Sequence, residues 1–429
     1  MNRSTDKFLT LFQEAEAHLE QLLPLGQRRQ KARATFERVG FPMQKMEKWR
    51  NSHLRTIRET DWVFERTQPA VDKTQWPERF RHAPVFVNGV AESDDFWEER
   101  ADGVQIGSLR AALKHTPQRV FDHFNKNNKE DLFGTFALNT LLVTDGLWVY
   151  VPKGIRVETP VLAVQYSSGK HHAVNHLRHI LVVEEAASVD VQMLQISTPD
   201  DNHFIQDITE CFVADRGIIR RHALQQFQGE TICFSTAFST QGEASEYHSN
   251  VTTLSSHNTR NEQHTRFDKP DGVARLGGLY LAAEKERVEH QVFIDHAVPD
   301  CESHEKFAGV LSGHAQGAFT GHILVREDAQ KTNAFQASNN MVLSDDARVR
   351  SLPFLEIYAD DVKCSHGATV GKLDDEALFY LRSRGIGAEE AKRILLTSFA
   401  AATLEDVEDE NYKQFVVDEI QSKLAAVSQ

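Results

Sequence analysis

The sequence predicts a mainly β fold, a solenoid of stacked coils between helical N- and C-terminal regions. Three observations carry this. The hydrophobic period changes from helical to strand-like near Leu141 and back again near Gly371. Within that stretch "LLVTDGLWVYVP", "HILVVEEAASVDVQML" and "DITECFVADRGIIRRHAL" alternate, are rich in Val, Ile, Thr and Phe, and have no helices between them. Finally, a polar residue followed by Ala or Gly and then a strand recurs at Ala187, Gly217, Ala244 and Gly272, at intervals of 30, 27 and 28 residues. That matches one coil of a solenoid, whereas the turns of a hairpin meander come every ~8–12 residues. Returns near Ala329, Ala347 and Gly367 are closer together, so the repeat is expected to degenerate. The expected division is 1–136 mostly helical, 137–373 solenoid and 374–429 helical, with both helical parts capping the stack.

In the first part Phe8, Leu11, Phe12, Ala15, Leu19 and Leu22 recur at helical spacing, with Thr5 as an expected N-cap. "RHAPVFVNGVAES" reads as a strand pair about an Asn88-Gly89 turn. Ser108 is placed to cap a helix carrying Leu109 and Leu113, and Val120, Phe121 and Phe124 follow beyond Pro117. In the tail, Asp374 caps a helix carrying Ala377, Leu378 and Leu381, and Gly385 suits its left-handed stop. A second helix carries Ala391, Ile394, Leu395, Phe399 and Ala402, and a third Phe415, Val416, Ile420 and Leu424. These stripes either bury against each other and the solenoid end or dock into a partner's groove.

Composition narrows the function. The 429 residues are 40% hydrophobic and 26% charged, as in a folded soluble protein. A net charge of −14 argues against nucleic-acid binding, which needs a concentrated basic surface. The basic run Arg28, Arg29, Lys31 and Arg33 reads as a solvated helix face. Cys211, Cys233, Cys301 and Cys364 form no disulfide framework, which fits a reducing compartment. The N-terminal segment lacks an apolar signal core, and no apolar run is long enough to span a bilayer. The expectation is a cytoplasmic protein with no membrane association.

Few motifs carry chemistry. "GATVGKL" at 367–373 has one residue too few between its glycines for a phosphate-binding loop. Leu373 also stands where a hydroxyl must bind magnesium, so no nucleotide site is expected. GxSxG, HExxH and GxGxxG patterns are absent from the sequence. The chain has 20 histidines, and many crowd the β region, among them His171, His172, His176, His179, His248, His257, His264, His290, His296, His304, His314 and His322. Most are expected to face outward, solvated or stacked. Cys301 and His304 have a spacing that can chelate on a turn. Cys364 and His366, two apart on a strand, point the same way and supply half of a site for a soft or borderline metal. The bland alternative is a packed thiol beside a hydrogen-bonded imidazole.

The longer motifs decide between these readings. "LEIYADDVKCSHGATVGKLDDEALFYLRSRGI" and "ALNTLLVTDGLWVYVPKGIRVETPV" resemble the C-terminal signature and shared core of the SufB/SufD family of the SUF iron–sulfur cluster assembly machinery. "KMEKWRNSHL" resembles the family's N-terminal motif, with Asn51 where an aromatic usually follows the Trp–basic pair. "CSHGATVG", in place of the "HEATV" wording, is similar to the SufD side of the family. The resemblance implies a right-handed parallel β-helix flanked by helical domains and a scaffold role rather than an enzyme. It implies pairing with a SufB-like subunit through the last strands, around Tyr358, Asp360, Asp361, Lys363, Cys364 and His366. A SufC-like ATPase would dock on the helix beginning at Asp374, with Leu378, Phe379, Tyr380 and Arg384. His366, with Cys364, would help ligate a transient iron–sulfur cluster at the subunit interface. Flavin in the complex is also implied, and no residue here is assigned to it. Two alternatives stand beside this: a homodimeric scaffold, and a β-helix carbohydrate-active enzyme using Glu184, Glu185, Asp190, Arg220 and Arg221 in a groove.

Overall fold

The computed structural model describes residues 3–64, 68–126 and 134–427. The N-terminal region holds α1 (Arg3–Leu22), α2 (Gln27–Val39), α3 (Arg55–Glu59), α4 (Leu109–His115), α5 (Pro117–His123) and α6 (Gly134–Leu142). Among them lie β1 (Val85–Val87), β2 (Val90–Ala91), β3 (Trp97–Glu99) and β4 (Gln105–Ser108). β1 and β2 form the expected hairpin, with Asn88 and Gly89 both at positive φ. The Ser108 hydroxyl accepts from the Ala111 N–H at 3.0 Å, as a cap should. Thr5 does not cap: it lies inside α1, and its hydroxyl instead accepts from the Phe41 N–H at 2.9 Å.

Then come β5 (Leu147–Val151), β6 (Val161–Ser167), β7 (Val174–Val183), β8 (Ser188–Ser197), β9 (Phe204–Val213) and β10 (Ile218–Gln226). The run continues with β11 (Ile232–Gln241), β12 (Glu246–Ser255), β13 (Asn258–Phe267), β14 (Val273–Ala282) and β15 (Arg287–His296). It ends with β16 (Glu302–Leu311), β17 (Gln316–Val325), β18 (Thr332–Val342), β19 (Arg348–Ile357) and β20 (Val362–Gly371). From β7 onward every strand pairs in parallel with the strand two places earlier, so even strands build one sheet and odd strands the other. This is a parallel β-helix with two strands per coil.

Corners recur at Ala186, Arg216, Ala244, Asp271, Asp300 and Lys331, each at positive φ. The repeat therefore does not degenerate. Ala329 and Ala347 mark opposite corners of one coil, and Gly367 lies within β20. Alternate side chains fill the interior. Val189, Ile219, Tyr247 and Ala274 from the even sheet meet Leu181, Cys211, Val292 and Ile323 from the odd one. Burying such apolar surface is what drives the coils to stack.

The outer faces are covered as well. α1, α2 and α6 lie on the odd sheet, where Phe204 packs against Phe8, Trp62 and Phe234. Arg29 is not solvated. It is buried, pairs with Glu20 at 2.8 Å, and donates to the carbonyls of Leu23, Leu141 and Val143 near the ends of α1 and α6. Burial lowers its pKa to about 10, and the carbonyls it meets are those a helix terminus leaves unpaired.

After β20 come α7 (Asp375–Ser383), α8 (Ala388–Ala401) and α9 (Glu410–Val427). The buried stripe of Leu396, Ala400, Leu404, Tyr412, Val416, Ile420 and Leu424 is set against Leu194, Leu224, Leu279 and Val310 on the outside of the even sheet, and Ala391 is buried as well. Ile394 and Leu395 are only half-buried, so α8 is rotated from the expected face. α8 and α9 run along the sheet and do not cover the last coil. Most of β19 and β20 is exposed.

Candidate functional site

The open coil is where the strand register places Cys364 and His366. β20 pairs with β18 alone and β19 with β17 alone, so both are edge strands. Leu352, Phe354, Ile357, Tyr358 and Val370 are exposed there. An edge with unpaired backbone groups and apolar side chains is a template for another chain.

Alternation puts Val362, Cys364 and His366 on the inner side of β20. Val362 and Cys364 pack partly on the solenoid core, while His366 is exposed at its mouth. The four thiols separate cleanly. Burial pushes Cys211 to about 12 and Cys301 to about 11, and raises Cys233 well above its ordinary value. Those three are buried and inert; Cys364, also raised by burial, is only half-buried.

Beneath His366 runs a polar column that sequence reading missed. His366 is in register with Gln336, and Gln336 with Glu305. Gln336 Nε2 donates to Glu305 Oε2 at 2.7 Å. Burial raises the Glu305 carboxyl to about 8. The signal was available in the coil length, which puts these residues about one repeat apart.

Around the mouth, the Tyr358 hydroxyl donates to Glu356, whose carboxylate also meets His322 Nε2 at 3.0 Å. The Asp361 N–H donates to Gln330 Oε1 at 2.9 Å. Asp360 and Lys363 are exposed. Among the described residues no group of three or more His, Cys, Asp and Glu side chains converges to hold a metal ion. Cys364 and His366 thus stand as a pair, two potential donor side chains on one strand.

On α7 the Asp374 carboxylate caps the Glu376 and Ala377 N–H groups, and Gly385 is left-handed as expected. No α7 side chain is buried, and Phe379 is 73% exposed. Tyr380 is also exposed and lies under the Arg384 guanidinium. Leu378 lines a cavity of about 440 Å³ between α7, α8 and the solenoid flank.

Other expected groups do not assemble. Cys301 is buried at a corner, its thiol facing the carbonyls of Lys269 and Pro299, while His304 bonds Glu302 and stacks on Phe335 outside the sheet. Not all histidines face outward. His179, His290 and His296 are interior, and His176 is buried under the N-terminal helices; burial lowers all four to about 3. Nor do the acidic and basic residues expected of a carbohydrate enzyme form a groove. Glu185 pairs with Lys153 and Arg216, Asp190 with Arg220, and Arg221 is buried. "GATVGKL" begins as strand, not as a phosphate-binding loop. No described helix is long and apolar enough to cross a membrane.

Comparison with known proteins agrees with this architecture. Residues 165–399 match the family model described as SUF system FeS cluster assembly, SufBD core domain, and residues 2–163 match the SufBD protein N-terminal region. The chain is 28% identical over 423 residues to the iron–sulfur cluster assembly protein SufD of Escherichia coli, covering 96% of this chain and 92% of that one. It is 30% identical over 333 residues to SufD of Bacillus subtilis, covering 76% and 75%. To the chloroplastic protein ABCI7 of Arabidopsis thaliana it is 25% identical over 398 residues, covering 89% and 82%. A solenoid matched along its length in this way makes the chain a member of the SufBD family of SUF-system iron–sulfur cluster assembly proteins.

Proposed function

We propose that this chain is the SufD-like subunit of a cluster-assembly scaffold. It pairs with a SufB-like subunit through the open edges of β19 and β20, with Tyr358, Asp360, Asp361 and Lys363 at the rim. A SufC-like ATPase docks on α7 through Phe379, Tyr380 and Arg384, with Asp374 and Leu378 fixing the helix. The nascent iron–sulfur cluster is cargo. His366, with Cys364, supplies part of its ligands across the interface, and the partner supplies the rest. A neutral imidazole is a competent iron ligand beside thiolates.

The observation that carries this reading is the pairing of one accessible thiol with one imidazole on the inner side of the uncovered coil. The same edges fit a second copy of the chain, so the isolated protein is expected to dimerise until a SufB-like chain displaces the copy. Energy comes from the separate ATPase, whose closure would shift the interface and open these groups. Co-expression with SufB-like and SufC-like partners tests the assembly. A stable three-component complex is expected, and truncation before Asp374 should remove only the ATPase. A chain that stays alone, or keeps the ATPase without α7, would contradict it.

A further inference from the structure

On the outer face of the odd sheet, reaching the open coil only through β19, the segment 44–53 overhangs β15, β17 and β19. The register aligns Arg287, Gln316 and Arg348 in one outward column, and Glu289, Ala318 and Arg350 in the next. Small Ala318 leaves a hollow between the long side chains, and Arg50 reaches it from the overhanging segment. The resulting cavity is about 420 Å³. We propose that this cavity binds a phosphate-bearing small molecule through Arg50, Arg287, Arg348 and Arg350.

Charge is the first argument. Four guanidinium groups line one concavity of a chain whose net charge is −14. The one carboxylate in the lining, Glu289, is already engaged by Arg260 Nη1 and the Ser52 hydroxyl, each at 2.6 Å. Arg350 bonds the Asn51 side chain at 2.9 Å, and Arg348 bonds the carbonyl of Ala347 at 2.9 Å; neither contact neutralises charge. Arg50 and Arg287 have no ion pair among the described residues, and Arg287 Nε is buried without a hydrogen-bond partner. Clustered like charges with an unmet buried donor raise the energy of the empty pocket, and a bound anion relieves both. His53, in the same lining, is held below its ordinary pKa by burial and by Arg287, so it stays neutral and adds no further repulsion.

Geometry selects the anion. Guanidinium forks come from two neighbouring strand columns and from the opposite wall. A carboxylate offers two oxygens in one plane, whereas a phosphate offers oxygens in several directions and carries more charge. The walled volume suits a small ligand and not an extended strand.

The test is calorimetric titration of the full chain, at low ionic strength, with inorganic phosphate and separately with pyrophosphate. A glutamate-rich peptide and acetate are run as further arms. Saturable one-site binding of pyrophosphate is expected, weakened about tenfold by Arg50→Gln or Arg287→Gln, the value of one charge-assisted contact. Arg266→Gln, at a half-buried strand position paired with Asp268, should leave binding unchanged. Arg50 is exposed on a surface segment, so its variant is expected to fold even if Arg287→Gln does not. Absence of saturable phosphate and pyrophosphate binding, or affinity indifferent to Arg50→Gln, would overturn the proposal. Tighter binding of the acidic peptide than of pyrophosphate would also overturn it and give the pocket to a protein segment.

Discussion

Gln336 stands one coil beneath His366, in register with it, and its side-chain nitrogen donates to the buried carboxyl of Glu305 at 2.7 Å. A carboxyl raised to about 8 by burial is protonated in the folded protein at neutral pH. The unfolded chain releases that proton above about 4.5. The contribution of Glu305 is therefore full below pH 4.5 and is lost as pH rises through about 8.

Replacing Glu305 with Gln, which keeps an acceptor for Gln336, should remove that loss. The variant is expected to be more stable than wild type at pH 8.5 by about 2–4 kcal/mol, with a much smaller difference at pH 5. Denaturant unfolding at the two pH values measures this. An equal effect at both would show that Glu305 does not hold a proton.

Acid stability should depend on the buried histidines. His176, His179, His222, His290 and His296 are each lowered to about 3 by burial. They stay neutral in the fold but charge in the unfolded chain below about 6.5, so the stability they contribute is present above that pH and is lost as pH falls toward 3. His290 lies between Tyr280 and Phe307, and neither of its ring nitrogens has a hydrogen-bond partner. His290→Leu is expected to flatten the acid limb by ~1.4 kcal/mol per pH unit and to do no harm at pH 7. Unchanged acid unfolding would mean that the imidazole protonates in place.

Phe379→Ala and Tyr380→Ala should separate binding from folding. Both side chains project from α7 into solvent, so thermal stability should move by no more than about 0.5 kcal/mol. Affinity for a SufC-like ATPase should fall by about 2 kcal/mol for each if they anchor the interface. Calorimetry and a melting curve on the same samples decide it, and unimpaired binding would move the docking site off α7.

Much of the fold was legible because the solenoid repeats and its corners have their own chemistry. The Asn88–Gly89 turn, the Ser108 and Asp374 caps and the return of strands every 27 to 30 residues are local signals. What escaped the sequence was parity. Strands covered on both faces lack a clean apolar–polar alternation, so whether His179 or His290 points inward depends on the stack and not on neighbours in sequence. Arg29 was misread for a related reason: three of its carbonyl partners, Thr140, Leu141 and Val143, lie at the end of α6, 111 to 114 residues away. The Cys364–His366 pair was readable as two same-side residues. The column beneath it needed the coil register.

The role proposed for His366, a cluster ligand supplied across the interface, is directly measurable. Its measurement is the iron and acid-labile sulfide content of three-component complexes isolated anaerobically, wild type against His366→Ala, with size-exclusion profiles as the control. His366 is exposed and buries little apolar surface, so assembly should survive its removal while cluster content falls sharply. Cys364→Ser should match that loss if the thiol also ligates, and be milder if it only packs. Wild-type iron and sulfide in an intact His366→Ala complex would contradict the account.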